Sequence, residues 1–204
     1  MFTERNTTSC TRTSYDTHIT HKNTIIVFIG NPLSSSCWIN RSITHKIQHY
    51  CSDKNIPFSI LMGYLKQTSF KKSIFRTSVV KNDTEPACRA VAAARIMLLQ
   101  KDHNDHTLLH FFTSIQEKFF EQGGDTTHIE FYKNICEAHH LSYDAFVDIF
   151  NIISTDVEFN TTKKIGISRF PNLILDQSGM IHPLALASES ISFEKITTTI
   201  DSFL

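Results

Sequence analysis

Residues 24–29 read Thr-Ile-Ile-Val-Phe-Ile, an unbroken β-branched and aromatic run closed by Gly30-Asn31-Pro32. A strand wetted on one face alternates apolar and polar residues, whereas one covered on both faces does not. The run therefore predicts a strand held between helical layers, which commits the chain to an α/β architecture. From Ser34 to about Tyr50 the pattern turns helical, with Trp38, Ile39, Ile43 and Ile47 roughly a turn apart and Ser34 or Ser35 as the N-cap. Asp53-Lys54-Asn55 turns the chain, and residues 56–62 (Ile-Pro-Phe-Ser-Ile-Leu-Met) predict a second strand. Strand, helix, strand is a βαβ unit.

The middle of the chain is helical. Thr84 is expected to cap a helix that carries Glu85 and Pro86 in its first turn and runs through Met97. Over residues 106–121, Leu108, Phe112, Ile115 and Phe119 share a stripe, so the excess of Phe, 16 in all, reads as core. Gly123-Gly124-Asp125 stops that helix, Thr127 with Glu130 predicts a capping box for the next through about His140, and Ser142 caps another. After Lys163-Lys164 the strand grammar returns. Residues 170–175 and 180–182 flank Asp176-Gln177-Ser178-Gly179, a hairpin turn, and residues 192–203 close with a helix on Phe193, Ile196, Ile200 and Phe203. The order β-α-β, helices, β-β-α predicts an α/β domain at residues 24–78 and 160–204, split by an all-helical insertion at 79–159. Residues 1–23, rich in Ser, Thr and Asn, read as a flexible tail.

Composition narrows the functional classes. Lys and Arg, 20 together, balance 20 Asp and Glu, so no basic excess is present to neutralise phosphates and nucleic acid is not an expected partner. No run approaches the roughly eighteen apolar residues of a membrane span, and residues 1–23 hold no apolar signal core, so the expected setting is cytoplasmic. The cysteines Cys10, Cys37, Cys51, Cys88 and Cys136 are odd in number and scattered, which suits reduced thiols better than a disulfide framework. His103, His106 and His110 could share a helix face, and His139-His140 adjoin. No Cys-x-x-Cys or His-Glu-x-x-His accompanies them, so no metal is expected.

Four stretches carry a family resemblance. They are Asn31-Pro32-Leu33-Ser34-Ser35-Ser36-Cys37-Trp38, then Asn55-Ile56-Pro57-Phe58, then residues 83–90 (Asp-Thr-Glu-Pro-Ala-Cys-Arg-Ala), then Phe170-Pro171. In this order they resemble the DsbA family, in particular its cytosolic FrnE-like branch, over roughly residues 24–203. The resemblance implies a thioredoxin fold with an inserted helical domain, thiol-disulfide oxidoreductase ancestry, and a cis peptide bond at Phe170–Pro171 that presents backbone to an extended thiol or peptide substrate. It implies Pro32, Trp38 and Phe170 as substrate-contacting residues, Ser34, Cys37 and Pro171 as the catalytic positions, and no tightly bound cofactor.

The departure from that family is Ser34, which stands where its attacking cysteine belongs. A hydroxyl cannot enter a disulfide, so two-cysteine turnover through Ser34 and Cys37 is not expected. Ser34 has three readings: a plain N-cap, a replacement that silences a cysteine, or a hydroxyl that donates to a thiolate. The last resembles the kappa-class glutathione transferases and the 2-hydroxychromene-2-carboxylate isomerases, although the Ser-Pro-Tyr context is missing, and it makes glutathione a candidate co-substrate. Cys37 is either an inert core thiol or a single exchanging thiol activated by the helix N-terminus. Cys51, fourteen residues on, lies about 21 Å along one helix and cannot pair with it. Cys88, near the junction of the insertion, could approach. The competing function is a redox-inactive groove that binds a peptide or partner.

Overall fold

A computed structural model describes residues 24–65, 83–100, 105–185 and 192–204. The tail 1–23, with Cys10, and His103 lie outside them. β1 (Thr24–Gly30) sits inside a four-stranded sheet of order β2-β1-β3-β4. β2 (Phe58–Met62) runs parallel to β1, with Ile26 opposite Phe58 and Gly30 opposite Met62. β3 (Asn172–Gln177) runs antiparallel on its other side, with Ile29 opposite Asn172, and β4 (Met180–Ala185) returns beside β3. Ser178 and Gly179 turn that hairpin with φ of 56° and 88°, and the Gly179 N–H donates to Asp176 Oδ1 at 2.7 Å. Both central residues in the left-handed region give a turn whose twist matches the strands. Ile26, Phe28 and Ile29 are buried, while Ile25 and Val27 are half-buried, so the second face of the strand is covered only in part.

The first helix breaks where one continuous helix is expected. α1 (Ser35–Ile39) ends at Asn40, and α2 (Arg41–Asp53) begins after it. The Asn40 side chain donates to Ser36 O at 2.9 Å, the kind of local bond by which Asn competes with the helical ladder. α2 packs against α8 (Phe193–Asp201), where the Tyr50 hydroxyl bonds Asp201 and the Tyr50 and Phe193 rings meet edge to face at 6.1 Å.

Between β2 and β3 lie α3 (Glu85–Leu99), α4 (Asp105–Gln122), a 3₁₀ turn (Ile129–Tyr132), α5 (Lys133–Ala138), α6 (Tyr143–Ile152) and α7 (Asp156–Lys164). Phe111, Phe112, Tyr132 and Phe146 are fully buried among them, so the Phe excess is core. Two expected caps are replaced. The Asp125 carboxylate takes both the Thr127 N–H at 2.9 Å and its hydroxyl at 2.7 Å, so Thr127 forms no capping box with Glu130 and a 3₁₀ turn results. At α3 it is Asp83 Oδ1 that accepts the Glu85 N–H, at 3.0 Å, while the Thr84 side chain makes no cap bond. α7 has no counterpart in the sequence reading and spans residue 160, where that reading places the return to the sheet unit. Its signal was Asp156 and Glu158 in the first turn and Lys163 and Lys164 in the last, matching the helix dipole.

α3 and α7 also close the free edge of β2. Glu158 Oε2 accepts the Met62 N–H at 2.6 Å, Arg95 donates to Ile60 O at 2.8 Å, and Arg95 and Glu158 pair at 2.6 Å. A charged pair on an edge strand blocks pairing with another chain. Among the described residues no helix is long and apolar enough to cross a membrane.

Candidate functional site

The end of β1 delivers the loop 31–34 to the centre of the molecule. Asn31, fully buried, organises it: its side-chain carbonyl accepts the Leu33 N–H at 2.9 Å, and its amide donates to Gly63 O at 2.8 Å. The same amide donates to Cys88 Sγ on α3 at 3.3 Å. One residue therefore ties the loop to the end of β2 and to the helical insertion.

Ser34 caps α1, its Oγ accepting the Cys37 N–H at 3.3 Å. Its own proton goes across the fold, to the carbonyl of Phe170 at 3.2 Å. The Phe170–Pro171 peptide bond is cis. Phe170 is buried, and a Cβ added to Gly63 would stand 2.0 Å from its ring. Only a glycine lets that ring lie on the β2 exit. Pro32, Ser34, Cys37, Phe170 and Pro171 are all buried, and Ser34 and Phe170 are in direct contact.

Cys37 is 2% exposed, and burial pushes its thiol up to about 12, outweighing the lowering influence of the Asn31 backbone and the Ser34 side chain. Of the two readings of Cys37, the raised thiol matches the inert core thiol rather than one activated by the helix N-terminus. α1 is a five-residue helix, and loss of water around the sulfur outweighs what so short a dipole offers. Cys51 and Cys136 are buried free thiols likewise raised to about 12 by desolvation.

Trp38 covers one side of the loop. Its ring stacks on Phe120 of α4 with centroids 5.5 Å apart, and the Arg41 guanidinium lies 3.5 Å from its centroid. Further along α4, Phe112 packs edge to face on Phe28 at 5.6 Å. Gln116 is one helical turn from each of these two rings and shares their stripe on α4. It is fully buried, and neither polar atom of its amide has a hydrogen-bond partner among the described residues. The sequence reading missed Gln116; its signal was a lone amide on the Phe stripe of α4.

Among the described residues no group of three or more His, Cys, Asp or Glu is placed to hold an ion. The His110 and His45 rings lie tilted with centroids 4.6 Å apart, and His139 meets the Ser114 hydroxyl at 3.0 Å.

No protein-family model matches this sequence, and no curated protein matches it. Solved structures do. A proposed protein disulfide isomerase from Nitrosomonas europaea superposes with a TM-score of 0.74 at 19% identity, covering 89% of this chain and 97% of that one. The cytosolic disulfide reductase DsbM from Pseudomonas aeruginosa, also solved with glutathione, gives 0.62 at 14% identity over 87% of this chain and 97% of its own. Chlamydia trachomatis DsbA gives 0.61 at 12% identity over 88% and 85%. The chain has the DsbA fold. Within that fold, an expected thioredoxin sheet split by a helical insertion is what the element order and the sheet order describe.

Proposed function

We propose that this DsbA-fold protein handles thiols without two-cysteine exchange. It binds a thiol-bearing peptide, glutathione in the first instance, along the Phe170–Pro171 turn, with the Ser34 hydroxyl directed at the sulfur. The observation that carries this reading is the bond from Ser34 Oγ to Phe170 O. An extended ligand that offers a backbone N–H to the Phe170 carbonyl takes over that bond, as strand addition does elsewhere. The Ser34 proton is then released toward the ligand's sulfur, where a donated hydrogen bond favours the ionised thiol. Gln116 offers an NH₂ donor group and a carbonyl acceptor, which match a ligand amide. Cys37, buried and fully protonated near neutral pH, stays out of the chemistry. Free buried cysteines suit a reducing compartment such as the cytoplasm.

Glutathione titration tests this. Binding raises the melting temperature by mass action, by about 1.4 kcal/mol of stability at tenfold the Kd. The ultraviolet absorbance of the bound thiolate then shows a sulfur pKa lowered by about one unit, worth ~1.4 kcal/mol, and Ser34→Ala removes that shift. No stabilisation at millimolar glutathione sinks the reading. The burial of Ser34 and Cys37 favours a second reading, a redox-silent partner-binding protein; peptide binding that persists unchanged in Ser34→Ala, with no response to glutathione, selects it.

A further inference from the structure

The arginines differ in what holds them. Arg89 pairs with Glu85 at 3.0 Å and Arg95 with Glu158 at 2.6 Å, while Arg169, just before the proline turn, is exposed. Arg41 is partly buried and fixed from two sides. Its guanidinium carbon lies 3.5 Å from the centroid of the Trp38 ring, and Nη1 donates to the Trp38 carbonyl at 3.0 Å. Among the described residues it forms no ion pair. A guanidinium carries five N–H donors in a rigid fork, so one bond to a carbonyl leaves most of them for another acceptor.

The break between α1 and α2 places this charge. Arg41 opens α2 directly after Asn40 and folds back over the ring three residues before it. Trp38 in turn follows Ser34 by one turn, its N–H donating to Ser34 O at 3.0 Å, and a helical side chain covers the turn before its own Cα. Phe120 stacks on the same indole at 5.5 Å, so the ring that carries the guanidinium is itself fixed. One helical turn rises about 5.4 Å and an extended tripeptide spans about 10 Å, so a ligand whose sulfur faces Ser34 reaches the guanidinium with a terminus.

We propose that Arg41, stacked on Trp38, is the carboxylate-binding residue of the thiol site. It takes a terminal carboxylate of the thiol peptide in a forked, charge-assisted hydrogen bond and selects anionic thiols over neutral ones. This rests on the thiol-binding reading above and adds to it the group by which the ligand is chosen. The chain has a formal net charge of zero and so offers no general attraction for an anion, which leaves selection to a placed cation.

The test follows the fluorescence of Trp38, the one tryptophan of the chain, during titration with two ligand pairs. They are glutathione with its diethyl ester, and S-methylglutathione with its diethyl ester, so that carboxylates and thiol are blocked separately. The expected result is that the acid of each pair binds about tenfold more tightly than its ester, the loss of one charge-assisted bond. That ratio falls to near one in Arg41→Gln and is reduced in Arg41→Lys, which keeps the charge without the fork. A packing role alone for Arg41 would weaken acid and ester alike and leave the ratio unmoved. An unmoved ratio in Arg41→Gln, a ratio lost instead in Arg169→Gln, or the full ratio in Arg41→Lys overturns the proposal. So does a ratio near one in the chain with Arg41, which needs no variant to fold, or a failure of every probe to bind. A ratio that depends on Arg41 while Ser34→Ala changes nothing upholds the carboxylate site and sinks only the Ser34 reading.

Discussion

Ser34 and Phe170, 136 positions apart, are joined by a 3.2 Å hydrogen bond in which the serine hydroxyl donates to the carbonyl before a cis proline. The same oxygen accepts the Cys37 N–H, so a single side chain is both helix cap and cross-link. Ser34→Ala loses both bonds and leaves a buried carbonyl unpaired, a cost of about 1–3 kcal/mol measurable by urea unfolding. Ser34→Cys completes a Cys-x-x-Cys sequence with Cys37. It is expected to give the protein an insulin-reducing activity that the chain with Ser34 lacks, and equal activity in both would show that sulfur chemistry runs elsewhere.

Gly63 is the second contact that holds the proline turn. A methyl group there collides with the buried Phe170 ring at 2.0 Å, so the ring or the Gly63 backbone, whose N–H donates to Gly30 O at 2.9 Å, must shift. Gly63→Ala is expected to destabilise by about 1–3 kcal/mol and to weaken ligand binding along with folding. An unchanged melting temperature would mean that the turn is not braced from this side.

Gln116 separates a ligand role from a packing role, because the two predict opposite signs. A fully buried amide with neither atom paired costs about 1–3 kcal/mol in the unliganded protein. Gln116→Leu should therefore leave stability unchanged or raise it, while lowering glutathione affinity several-fold by isothermal titration. A strongly destabilised variant would refute the unpaired state of the amide.

His139 gives the protein an acid-side slope. Burial, with His110 and His140 nearby, holds its pKa below the usual histidine value. The folded protein thus takes the proton less readily than the unfolded chain does. Its contribution is complete above about pH 6.5, the unfolded value, and is lost as pH falls through the lowered one. Urea melts on either side of that value should show the decline, and His139→Gln should flatten it. A slope that survives the substitution places the titration on another group.

The strands and the Phe-rich helices were legible because burial writes itself as periodicity: the β-branched run 24–29 marked a strand, and the stripe from Leu108 to Phe119 marked a packed face. The pairing of the loop 31–37 with Phe170-Pro171 was readable only through resemblance, since nothing local links segments so far apart. Local chemistry misled at Thr127, where a capping sequence was outcompeted by the Asp125 carboxylate two residues away.

The amino-acid order alone determined that the chain builds a split α/β sheet with helices between its halves, and that the hydroxyl at position 34 bars a disulfide there, because a side chain's elements are independent of its surroundings. Tertiary structure decided the state of the sulfurs and the amide. Cys37 keeps its proton because folding removes the water that would solvate its anion, Gln116 is buried on α4 with its amide unpaired among the described residues, and Cys88 lies beside Asn31 because α3 packs there. Protonation and pairing depend on what surrounds an atom, and only the folded chain supplies those surroundings.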